Sequence, residues 1–68
     1  MKMRRTYLQS ERRSKLLTQR ELAKIIGVSK SSISMIENGS MEPSWQVAQK
    51  LEEFFKITAS ELLKKDDK

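Results

Sequence analysis

The stretch Leu17-Thr-Gln-Arg-Glu-Leu-Ala-Lys-Ile-Ile-Gly-Val-Ser-Lys-Ser-Ser-Ile-Ser-Met-Ile-Glu-Asn-Gly39 decides how this chain folds. Thr18 stands three residues before Glu21, the spacing at which a hydroxyl accepts from a first-turn N–H while the carboxylate reaches back, so a helix begins here. Leu22, Ala23 and Ile26 lay one apolar stripe along it, and Gly27 ends it. Ser29 is a natural N-cap for a second helix, which runs from Lys30 to Glu37 and stops at Asn38-Gly39, a pair suited to positive φ. Ile33 and Ile36 share a face of it with Val28 behind them, and Lys30, Ser31, Ser34 and Met35 lie on the outer side. That outer side is polar, small and free of acids.

The same punctuation divides the rest of the chain. Residues 3–14 read as a basic first helix with Tyr7 and Leu8 facing inward, although Glu11 falls where that apolar face would continue. Pro43-Ser44 opens a fourth helix whose broad apolar face, Trp45, Val47, Ala48, Leu51, Phe54 and Phe55, is expected to contribute most to the core. Thr58-Ala-Ser-Glu61 is a second capping box, opening a short fifth helix that carries Leu62 and Leu63. Residues 64–68 are expected to fray. With one Pro, two Gly and no β-branched alternation, the expectation is an all-α, compact five-helix domain. It spans 1–68, with its core in 4–63 and the two central helices in 18–38.

A chain of 68 residues has room for one domain and a modest core. It contains neither Cys nor His, which removes thiol nucleophiles, disulfides, zinc fingers and the side chain most used for proton transfer near neutral pH. No cofactor, metal or enzymatic activity is expected. A carboxylate pair of Glu11 and Glu37 is the one enzymatic arrangement to weigh, and Glu37 has a better explanation below. Apolar runs are as short as Leu16-Leu17 and Phe54-Phe55, against the roughly 20 residues that span a bilayer, and no apolar segment follows the basic start as an export signal requires. Localisation then rests on function, and with the function read below a cytoplasmic protein is expected.

Net charge is +5, unevenly placed. Residues 1–20 carry Lys2, Arg4, Arg5, Arg12, Arg13, Lys15 and Arg20 against the single acid Glu11, whereas residues 41–68 hold five lysines against six acids. Such a basic end suits a polyanion, though basic side chains also serve simply to solvate a helix. Two consecutive short helices joined around a glycine are a helix-turn-helix, the arrangement whose second helix is laid into the DNA major groove.

On these residues the chain resembles the Cro/XRE-type repressor family of phages and bacteria. The pattern LTQxELAxxxGVSxSxISxIENG carries the resemblance, and Pro43-Ser44 and Ile57-Thr-Ala-Ser-Glu-Leu-Leu63 extend it over roughly residues 4–63. It implies a lambda-repressor-like fold and sequence-specific binding of double-stranded DNA by a small transcriptional regulator, most simply a repressor that occupies its operator. The resemblance puts Lys30, Ser31, Ser34 and Met35 at base-contacting positions, where Lys30 can donate to guanine O6/N7 and Met35 can touch a thymine methyl. Gln19, Ser29, Ser32 and Asn38 match phosphate-facing positions, though a solvated helix face explains the serines too and Asn38 also ends its helix. Arg12 and Glu37 match a structural salt bridge between the first and third helices. A homodimer on a palindromic operator, joined near the fifth helix, is implied. An adaptor that uses the same fold to hold a protein partner is the alternative. Departures from the family pattern are Glu11 at a usually apolar position, Leu16 at a common glycine, and Ile25 where a charged residue is frequent. Ile25 and Met41 are compatible with an exposed apolar patch, or with the scattered surface hydrophobes of any protein.

Overall fold

The computed structural model describes residues 4–66. Five helices follow in order: α1 (Thr6–Ser14), α2 (Gln19–Ile26), α3 (Lys30–Asn38), α4 (Trp45–Phe55) and α5 (Ala59–Leu62). Local chemistry sets most of their ends. At Thr18 both halves of the capping box form, with Glu21 N–H donating to Thr18 Oγ1 at 3.0 Å and Thr18 N–H to Glu21 Oε1 at 2.9 Å. Thr18→Ala is expected to lower stability by about 1 kcal/mol in a urea titration, the usual worth of such a cap. Ser29 and Ser44 cap α3 and α4 through their hydroxyls. Gly27 and Gly39 close α2 and α3 at φ 90° and 86°, left-handed conformations that glycine adopts without steric cost.

The core is one cluster built mainly on α2 and α3: Leu22, Ala23, Ile26, Ile33 and Ile36 are buried, joined by Leu8, Leu51, Phe55 and Leu62. Ala23 is buried where α2 meets α3, and the small side chain permits a close crossing. The inner face of α1 is Leu8 and Arg12, one turn apart, so the line continues through Arg12 and Glu11 is left half-buried at its side.

Several expectations fail. Trp45 is not core: it is 75% exposed, because it lies about 120° around the helix from Leu51, at ~100° per residue. Leu51 and Phe55 are the buried residues of α4, with Val47 and Phe54 packed alongside, so α4 is not the main core contributor. Helix α1 begins at Thr6, since Arg5 takes φ −104° and ψ 70°; Met3, also expected in it, lies outside the described residues. Thr58 makes no side-chain cap to α5, and the Ala59 N–H donates instead to Glu52 Oε1 at 3.0 Å, an acceptor supplied by α4.

Residues 64–66 are held in place. Asp66 N–H donates to the Arg4 carbonyl at 2.7 Å, and the Asp66 carboxylate accepts from both the backbone N–H and the hydroxyl of Thr6. A carboxylate from the far end of the chain thus caps α1, which has no N-cap side chain of its own, and an anion there also suits the helix dipole. The expected fraying at 67–68 lies outside the described residues.

Candidate nucleic-acid interface

Helix α3 divides sharply. Ile33, Ile36 and Glu37 are buried on one side, while Lys30 and Ser31 are exposed, Met35 is 39% exposed, and Ser34 and Asn38 are half-buried. At ~100° per residue Ser31, Met35 and Asn38 fall on one line opposite the core, and Ser34 lies beside it. Lys30 stands at the edge nearest α2, where it lines an open groove with Arg12, Arg13, Thr18, Gln19, Arg20 and Glu21. Arg13, Arg20 and Lys30 against Glu21 make that groove basic.

A buried ion pair fixes the angle between these elements. Arg12 Nε donates to Glu37 Oε2 at 2.6 Å and a second guanidinium nitrogen to Oε1 at 3.2 Å, while Arg12 NH1 donates to the Leu17 carbonyl at 2.7 Å. Glu37 is fully buried, and its Oε1 also accepts from Gln19 Nε2 at 3.0 Å. One carboxylate therefore joins the end of α1, the start of α2 and the core side of α3. Bidentate geometry and the third donor satisfy its lone pairs, as a buried charge requires. No buried side-chain nitrogen or oxygen among the described residues lacks a partner.

These bonds shape what the polar candidates still offer. Gln19 has spent one N–H on Glu37 and keeps the other beside its free oxygen. Asn38 Oδ1 accepts from the Ser40 N–H at 3.0 Å and from the Ser40 hydroxyl at 2.6 Å, which leaves its NH₂ to donate. Ser29 Oγ accepts from the Ser32 N–H and donates to Ser32 Oγ, so this pair is partly committed to the cap. Lys30 and Ser31 make no side-chain bond among the described residues.

Arg13 and Arg20 belong to this groove, yet sequence reasoning counted them only as bulk charge. Their i-spacing from Arg12 and Gln19 was the available signal. Arg5, counted with the basic end of the chain, is buried and faces away into the junction of α3, α5 and the Met41-Glu42 loop. Among the described residues no cluster of His, Cys, Asp or Glu is arranged to hold a metal, and no helix is long and apolar enough to cross a membrane.

The helix-turn-helix family matches residues 8–62 of the chain. An uncharacterized HTH-type transcriptional regulator of Methanocaldococcus jannaschii is 39% identical over 51 residues, which cover 75% of this chain and 77% of that protein. The five helices, the α2–turn–α3 unit and these matches together place the chain in the Cro/XRE-type helix-turn-helix family of transcriptional regulators.

Proposed function

We propose that this chain is a small homodimeric repressor that inserts α3 into the major groove of a palindromic operator in the prokaryotic cytosol. The observation that carries the reading is the two-sidedness of α3: its inner side is fully buried, and its outer side offers Lys30, Ser31, Ser34 and Met35 with no acid among them. In this reading Lys30 donates to a guanine edge, Met35 packs on a thymine methyl, and Ser31 and Ser34 supply small polar contacts. Gln19, Ser32 and Asn38 meet phosphates on either side through the donors left free after their internal bonds, and Ser29 does so when its hydroxyl proton turns from Ser32 to the phosphate. These contacts give register and salt-dependent affinity, and the α3 side chains give the preference for sequence. Repression then needs only occupancy of the promoter, and no chemistry is assigned to the chain.

A reading helix of nine residues reaches few base pairs, so a second copy on a half-site one helical turn away, roughly 34–36 Å, doubles the contact. Selection from a random duplex pool is expected to return a palindrome. On that site Lys30→Ala is expected to cost about 1–3 kcal/mol and to relax preference at one symmetric position, without changing the salt slope as a phosphate contact would. Weak binding that only tracks salt, with no enriched sequence, would overturn the assignment.

A further inference from the structure

The turn at Leu16 ends α1, with the Leu16 N–H donating to the Arg13 carbonyl at 2.9 Å and the Leu17 N–H to the Arg12 carbonyl at 3.3 Å, but the leucine side chain takes no part in those bonds. The φ of Leu16 is 59°, in the left-handed region that disfavours a leucine, and its side chain is 89% exposed. A glycine or asparagine would make this turn with less strain. The neighbours of Leu16 explain what such a side chain has at hand. Lys15 Nζ lies 5.5 Å from the centre of the Phe54 ring, and Leu17 lines an apolar groove with Glu21, Lys24 and Ile25. Ile25, half exposed, also lines the adjoining groove with Ile26, Lys50, Glu53 and Phe54. Ile25 is common to both grooves, so Leu17, Ile25 and Phe54 border one apolar surface, and Leu16 immediately precedes Leu17 in the chain.

The charges around this surface select its occupant. Lys15, Lys24 and Lys50 alternate with Glu21 and Glu53, in contrast to the one-sided basic groove beside α3. A partner of uniform charge gains little from such a rim. A second copy related by a two-fold axis carries the same mixed rim, so any pairing of an acid on one molecule with a lysine on the other is made twice. Ile25 lies about 140° around α2 from Arg20, at ~100° per residue, and Glu21 stands between the apolar surface and the groove that holds Lys30, lining both. Among the described residues the exposed large apolar side chains are Leu16, Ile25, Met35 and Trp45, and α5, near which a dimer contact was expected, supplies none of them.

We infer that the Leu16–Leu17–Ile25–Phe54 face is the contact between two copies of this chain. The inference rests on the homodimer part of the proposed function and names its surface.

Sedimentation equilibrium of the full chain, from low micromolar to near-millimolar concentration, tests it. Wild type should reach a dimer. Leu16→Gly should weaken the dimer by about tenfold or more, the effect of withdrawing one leucine from an apolar contact. Its melting temperature in dilute solution, where the chain is monomeric, should stay level or rise, because glycine relieves the turn. Ile25→Lys, at a half-exposed helix position, should also abolish dimerisation while leaving the dilute melt in place. Stability and association thus move apart, which a merely structural role for Leu16 cannot produce. A wild-type dimer unaffected by both variants overturns this interface and leaves the homodimer reading intact. A wild type that stays monomeric throughout overturns both, and half-site binding to the selected DNA remains a separate measurement.

Discussion

Glu37→Ala is expected to lower the stability of the fold by about 3–5 kcal/mol, because Arg12 would stay in the interior without its anion. The pair is closed on every side: two guanidinium nitrogens and the Gln19 amide converge on the two carboxylate oxygens, and Glu37 itself has no exposed surface. A chain of this length holds roughly 3–10 kcal/mol in total at typical values per residue, so the variant should be largely unfolded or close to it. The measurement is the urea midpoint at constant slope, which separates lost stability from a changed unfolded state. Replacing both partners by apolar residues, Arg12→Met with Glu37→Leu, should cost less than Glu37→Ala alone, since no charge is then left unpaired. A single variant within about 1 kcal/mol of wild type would mean that water reaches Arg12 and that the pair does not set the α1–α3 angle. DNA binding by Glu37→Ala should fall mainly with the folded fraction, with a smaller further loss because Gln19 is no longer held beside α3.

The two central helices were legible because their determinants are local. Thr18 and Glu21, Ser29, Gly27 and Gly39 act within one turn of where they stand, and the Leu22, Ala23, Ile26, Ile33 and Ile36 periodicity needs only the helix repeat to be read. What escaped were contacts between residues far apart in sequence. Thr58 has the right residue type and spacing for a cap, yet Glu52 on the preceding helix reaches the same terminus first. Asp66 caps α1 across 60 residues of chain, and nothing near Thr6 signals it. Trp45 differs for another reason: it is apolar by type, but its angle around α4 turns it away from the line of Leu51 and Phe55. The outer face of α3 could be listed from sequence, but the commitments of Gln19, Ser29 and Asn38 to internal bonds could not, and these determine which donors each still offers to a phosphate.

Arg5→Lys should destabilise the protein by about 2–4 kcal/mol despite keeping the charge, because three point donors on an ammonium cannot reproduce the fork of a guanidinium and hydrogen bonds to charged groups are worth about 1.5–3 kcal/mol each. Arg5 is 2% exposed, and its Nε donates to the Leu63 carbonyl at 2.7 Å, NH1 to the carbonyls of Ile36 at 2.8 Å and Met41 at 3.2 Å, and NH2 to Glu42 Oε1 at 2.7 Å. One side chain thereby ties together the last turn of α3, the loop before α4 and the end of α5, supplying donors to the Met41 and Leu63 carbonyls and a second donor to the Ile36 carbonyl, which also accepts from the Gly39 N–H. Glu42 answers to two cations: the hydrogen bond from Lys65 and then the charge of Arg5 hold its carboxyl below the usual carboxylate range. A carboxyl lowered in the folded state stabilises fully above its unfolded value and loses that contribution as pH falls through the folded one, so acidification removes this link while the carbonyl bonds to Arg5 persist. The same substitution separates two explanations of the basic N-terminal segment. If Arg5 served DNA, lysine would preserve binding and leave stability unchanged; if it ties the helices together, as its burial and its acceptors indicate, stability falls and affinity per folded molecule does not. Thermal and urea unfolding of Arg5→Lys, beside titration of the selected duplex at a concentration where the variant is still folded, reads both quantities, and unchanged stability with preserved DNA binding would reverse the assignment.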